Sequence, residues 1–131
     1  MRLDDLDPVE TVMGKPVTAM TATELVTYVR LAVVYHHDIE LAIDGIRERS
    51  VMQGLRNTYG TDAGRLVKWA CWHHKARDNH GRPLTIFSFA KGRKWWLDQL
   101  HIELQQHERT QRSQGGAERR AAEGFARLGQ A

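Results

Sequence analysis

The sequence predicts a mostly α protein: a compact three-helix body, a short β element near residues 84–87 and extended terminal arms. Three observations point there. A helix-start signal at Thr21 opens a long apolar run. Two later stretches, after Thr61 and after Ser88, repeat apolar residues at helical spacing. The flanks, residues 1–20 and 113–131, are too polar to join a core. The helical domain is therefore expected over residues 21–112.

Residues 1–20 hold Pro8, Gly14 and Pro16 and show no sustained periodicity. They read as an extended arm, since each proline biases the residue before it away from helix. Thr21 with Glu24 three residues on makes a capping box, and Met20 and Leu25 fall on the hydrophobic-staple positions. The run LVTYVRLAVVYHH is apolar nearly all round, which predicts burial against more than one neighbour. Asp38 either continues this helix or caps another, with Ile39, Ala42, Ile43 and Ile46 at helical spacing. Residues 50–61 contain two glycines and read as a short helix or turn followed by a loop.

A second helix is expected from Thr61 or Asp62 to about Arg77. At about 100° per residue, Leu66, Trp69, Ala70 and His73 share one side, while Arg65, Lys68, Trp72 and Lys75 share another. Asn79, Gly81 and Pro83 mark a turn. LTIF at 84–87 is β-prone and can form one short strand. Ser88 can cap a third helix over roughly 89–112, with Phe89, Trp96, Leu97, Leu100 and Leu104 along one face. Residues 113–116, SQGG, read as a linker. Ala117, Ala121, Phe125 and Leu128 then give an amphipathic tail, too short at roughly 12 residues to be stable alone.

Charge is distributed unevenly along the 131 residues. Residues 1–55 carry 5 basic and 9 acidic side chains, a balance of −4. Residues 56–94 carry 9 basic and 2 acidic, a balance of +7, and residues 95–131 carry 5 of each. All four tryptophans lie in or beside the basic block. Apolar runs fall short of the roughly 18–20 residues a membrane span needs, so no membrane partner is expected. The acidic start MRLDDLDPVE has no apolar h-region and does not read as a signal peptide. One cysteine, Cys71, excludes a disulfide framework within the chain.

Arg65, Lys68, Trp72 and Lys75 make a basic stripe with a ring for stacking, which Arg82, Lys91 and Lys94 extend. Such a face suits phosphates, because lysine and arginine neutralise them without reading sequence and aromatic faces accept any base. It equally suits an acidic protein partner, or is a solvated face whose tryptophans are core. Cys71, His73, His74 and His80 crowd together, but only Cys71 and His74 have metal-ligand spacing, so no metal is expected. His73 falls on the apolar stripe and reads as a core histidine. Asn79-His80 beside His73-His74 superficially suggests an HNH nuclease, whose metal-site spacing is missing. Cys71 between two tryptophans reads as a buried, inert thiol. No GxSxG, GxxxxGK[ST] or GxGxxG pattern is present. Neither enzyme activity, a cofactor nor a small-molecule substrate is expected.

The runs GRLVKWACWHH and GRPLTIFSFAKGRKWWLDQLHIELQ resemble small proteins of actinobacterial phages over roughly residues 59–105. The resemblance implies a phage-encoded protein and leaves virion, replication and regulatory roles open. Two expectations follow. One is a structural protein of a phage particle, such as a minor capsid, decoration or head–tail connector subunit, placed in the virion after assembly in the host cytoplasm. Its terminal arms, with Ala121, Phe125 and Leu128 as a docking tail, would bind other virion subunits in a homo- or hetero-oligomer. Its basic face would meet DNA or an acidic partner. The alternative is a free nucleic-acid-binding protein in phage replication or transcription.

Overall fold

Helices α1 (Pro8–Met13), α2 (Ala22–His37), α3 (Ile46–Tyr59), α4 (Ala63–Trp72) and α5 (Lys94–Gly129) account for most of the protein. Short 3-10 turns cover Val17–Ala19, Gly60–Asp62, Ile86–Phe89 and Lys91–Arg93. The computed structural model describes the backbone of residues 3–129 and side chains as far as residue 111. Residues 1–100 form one compact unit and residues 101–131 a second, which is helical.

The capping box at Thr21 forms as the sequence predicts. Thr21 Oγ1 accepts from Glu24 N at 3.2 Å, and Glu24 Oε1 accepts from Thr21 N at 3.1 Å. Both staple residues, Met20 and Leu25, are buried. So are Val26, Tyr28, Val29, Ala32 and Val33, because α2 packs on α1, α3 and α4. Each such aliphatic side chain contributes about 1.5–3 kcal/mol when fully buried. Asp38 ends α2 in the left-handed region, with φ 55°. Its N–H donates to Val34 O at 2.9 Å, so the periodic residues Ile39–Ile43 lie in a loop rather than a continuing helix.

Several elements differ from the sequence reading. Residues 50–61, read as a short helix or turn with a loop, belong mostly to a longer helix, α3, which starts at Ile46 and runs to Tyr59. Glu48 closes its start by accepting from Asp44 N and Gly45 N, and Gly54 keeps an ordinary helical φ. Helix α4 stops at Trp72 rather than near Arg77, since Lys75 and Ala76 turn left-handed at φ 54° and 55°. The β element expected at 84–87 does not form. Ser88 Oγ accepts from Thr85 N at 3.1 Å and winds Ile86–Phe89 into a 3-10 turn, and no partner strand exists among the described residues. An isolated bridge, Arg77 with Pro83, stands in that region instead. Helix α5 starts at Lys94 and runs unbroken through residues 113–116, which the sequence reads as a linker.

The expected extended arm also differs. Among its described residues it carries α1 and the turn Val17–Ala19, and Val9, Val17 and Met20 are buried. Asp7 caps α1, its Oδ1 accepting from Val9 N and Glu10 N at 2.8 Å each. Gly64 admits this segment onto α4, because a Cβ there would stand 2.5 Å from Val17 O.

Candidate functional site

The basic stripe on α4 divides in the structure. Lys68 is 2% exposed and cannot meet a phosphate. Its ammonium pairs with Glu10 and donates to Leu3 O at 2.7 Å and Asp5 O at 2.6 Å, which uses all three protons. Trp72 is half-buried, and its Nε1 donates to the Tyr28 hydroxyl at 2.7 Å. Its ring is flanked by Tyr35 and His36, with centroids at 5.1 Å and 4.7 Å. The ring thus packs against α2 while remaining partly exposed. Arg65 is half-buried with Asp62 3.9 Å away. Of the four residues, Lys75 is exposed. The sequence put Lys68 and Trp72 on one stripe of the helix; what it lacked was that the N-terminal segment covers Lys68 and that α2 packs against Trp72.

Those residues form a buried polar chain. The Tyr28 hydroxyl, accepting from Trp72, donates to Asp7 Oδ2 at 2.6 Å. Glu10 Oε2 accepts from Val17 N at 2.8 Å and its Oε1 from Asp7 N at 3.1 Å. Burial pushes the Asp7 carboxyl above its usual value, outweighing its hydrogen bonds from Tyr28 and Glu10 N. Burial acts on Glu10 too, but Lys68 and the N–H groups of Asp7 and Val17 hold it below the usual range. Burial likewise raises the Tyr28 hydroxyl and the Cys71 thiol. Cys71 is fully enclosed, which agrees with an inert thiol. This chain of groups ties the N-terminal segment to the body.

At the end of α4, the two left-handed residues are braced from α2. His37 Nε2 lies 3.0 Å from Lys75 O and 3.1 Å from Ala76 O, so the ring must carry its proton on Nε2 to donate. His73, read as a core residue, is exposed; its ring stacks on Trp69 at 3.9 Å with an 11° interplanar angle. His36 is half-buried, and its pKa is lowered by burial and by the neighbouring His37. Among the described residues no three His, Cys, Asp or Glu side chains converge as a metal site.

Lys75, Arg82, Lys91 and Lys94 remain exposed. Arg93 Nη2 donates to Asp78 Oδ2 at 3.3 Å, which joins the turn carrying Arg82 to the segment carrying Lys91 and Lys94. Trp95, beside them in sequence, is 63% exposed. Lys94 pairs with Asp98 at 2.8 Å, and Asp98 also accepts from the Tyr59 hydroxyl at 2.7 Å.

A groove of about 520 Å³ lies between α3 and residues 89–97. Leu55, Phe89 and Leu97 are its buried lining, with Gly54, Lys91 and Lys94 at its exposed rim. The sequence reading did not find it, because a short helix or turn expected at 50–61 did not show that residues 89–97 lie beside it. The docking-tail side chains Ala121, Phe125 and Leu128 lie outside the described residues. No described helix is long and apolar enough to cross a membrane. No family model, curated protein or solved structure matches this chain.

Proposed function

We propose that the protein is an assembly protein, a helical subunit that binds neighbouring subunits through its C-terminal helix. More specifically, we propose a structural component of a phage particle: a minor capsid, decoration or head–tail connector subunit, with its exposed basic residues toward DNA or an acidic partner.

The observation that supports this reading is the unbroken course of α5. It runs 36 residues to Gly129 through a polar stretch containing Gly115 and Gly116. Glycine disfavours helix by roughly 1 kcal/mol against alanine, and isolated helices are marginal in water. Burying the stripe of Ala117, Ala121, Phe125 and Leu128 against a neighbour would offset that deficit. The packing of residues 3–17 onto their own body moves the role of binding neighbours from two arms to the C-terminal one.

Sedimentation of the full chain tests the reading, beside a variant carrying Phe125→Glu and Leu128→Glu. Assembly by the natural chain and its loss in the variant are expected. A chain that stays monomeric at all concentrations, and is absent by mass spectrometry from purified particles of the phage encoding it, would overturn it.

The exposed set Lys75, Arg82, Lys91 and Lys94 beside Trp95 favours the second reading, a free nucleic-acid-binding protein. Tight duplex binding by a monomer, falling steeply with salt, would select it over the first.

A further inference from the structure

We propose that the turn 77–82 and the segment 91–95 form one surface for single-stranded nucleic acid, with Asp78 as the residue that positions its cations. The inference rests on the reading of the exposed basic residues given above and is independent of assembly.

The turn is tightly held. Asp78 N donates to Arg82 O at 2.8 Å and Gly81 N to Asp78 O at 3.0 Å, while Leu84 N donates to Ala76 O at 2.8 Å at its base. Gly81 closes the loop at φ 73°, a conformation that favours glycine. The Asp78 side chain is 8% exposed, and each of its oxygens is used. Oδ1 accepts from His80 N at 2.8 Å and Arg82 N at 3.0 Å. Oδ2 accepts from Arg93 Nη2 at 3.3 Å, across 15 residues of sequence. One carboxylate therefore shapes the turn and joins it to the start of α5. Arg77 Nη1 donates to Gly81 O at 2.8 Å, which keeps its guanidinium at the turn with further N–H groups to spare.

Charge selects a polyanion. Residues 73–95 carry six lysines and arginines against one acid, Asp78. Lys94 is paired with Asp98. Lys75, Arg77, Arg82 and Lys91 are exposed, and no ion pair joins them to a carboxylate among the described residues. Exposed rings then choose between polyanions. Phe87 and Trp95 both stand in solvent on the segment that carries Lys91. Lys91 and Trp95 are four residues apart on a continuous helical run, which returns them to one side. A duplex keeps its base faces inside its own stack, and an acidic peptide carries charge without a planar ring beside each charge. A single strand offers a phosphate and an open base at every nucleotide, and cations beside exposed aromatic rings suit both.

Fluorescence anisotropy of the full chain with a labelled oligothymidylate, beside a DNA duplex of equal length, tests this. The single strand is expected to bind more tightly than the duplex, with an affinity that falls as salt rises. Trp95→Ala, at an exposed position, should weaken single-strand binding about fivefold or more and leave duplex binding nearly unchanged. Asp78→Asn separates position from charge. The amide keeps an oxygen for His80 N and Arg82 N, loses the acceptor for Arg93 and removes one negative charge. Loss of charge alone would tighten binding, whereas loss of the link should weaken it severalfold while thermal melting shows the variant folded. Unchanged or tighter binding by folded Asp78→Asn would overturn Asp78 as the positioning residue. A duplex bound as tightly as the single strand, or unchanged single-strand binding by Trp95→Ala, would overturn the single-strand assignment and leave the basic face as a duplex surface. Binding to neither nucleic acid would overturn the inference together with the nucleic-acid reading, and would leave assembly, read by sedimentation, untouched.

Discussion

The Lys68 ammonium lies inside the fold against the Glu10 carboxylate, with the two side chains 2% and 1% exposed. Breaking a buried pair by removing one partner strands the other charge, which typically destabilises by about 3–5 kcal/mol. Lys68→Met and Glu10→Gln are each expected to lower stability by that order in urea denaturation. The double variant should recover part of the loss, since it removes both members of the pair and strands neither. DNA binding, where present, should not depend on Lys68.

Acid should weaken the fold through glutamates held below their usual value. The Glu24 carboxyl is lowered to about 2 by Lys15 at 2.7 Å and by Thr21 N–H, and Glu10 is also lowered, by Lys68 against the opposing effect of burial. Between the ordinary glutamate value of 4.5 and the folded one, the unfolded chain binds more protons than the native one. Stability therefore falls as pH drops from about 4.5 toward 2. Asp7 works the other way: its raised value gives stability that is present below 3.8 and is lost as pH rises through the folded value. Denaturation midpoints measured from pH 6 to pH 2 should show a shallower acid limb in Glu24→Gln than in the natural chain.

Two glycines should respond to alanine with opposite sign. Gly64→Ala drives a methyl into Val17 O and is expected to cost about 1–3 kcal/mol, as overpacking does. Gly54→Ala meets nothing and should stabilise the monomer by about 0.5–1 kcal/mol. Thermal melts of the two variants decide both signs.

Lys75 occupies the left-handed region while exposed, and the conformation suits glycine better. Lys75→Gly is expected to raise stability by about 1 kcal/mol. If Lys75 touches a phosphate, the same variant should also reduce the salt slope of DNA binding by about one unit. Chemical denaturation reads the first effect and a salt titration the second.

Helix existence was legible where a local signal dominates. The Thr21 capping box, the apolar run after it and the face of Trp96, Leu97 and Leu100 are set by side chains within one or two turns of each other, and the structure reproduces them. The full extent of helix α3 was not legible, because Gly54 lowers local propensity and packing on α2 overrides it. The end of α4 was hidden for a related reason. Two non-glycine residues go left-handed there under a brace from His37, which is 38 residues away from Lys75 in sequence.

By itself, then, the sequence determined the helical class, the α2 start, the inert setting of Cys71 and the concentration of positive charge around four tryptophans. Periodicity shows which residues share a helix face. It does not show what covers that face. The tertiary structure decided that residues 3–17 lie on α4, turning Lys68 from a surface cation into a buried partner of Glu10, and that α2 packs on α4, tying Trp72 to Tyr28. It also decided that Lys91 and Lys94 border an apolar groove opposite Gly54. Both outcomes depend on contacts between segments far apart in the chain, and their free energy is settled by burial and charge pairing after the helices meet.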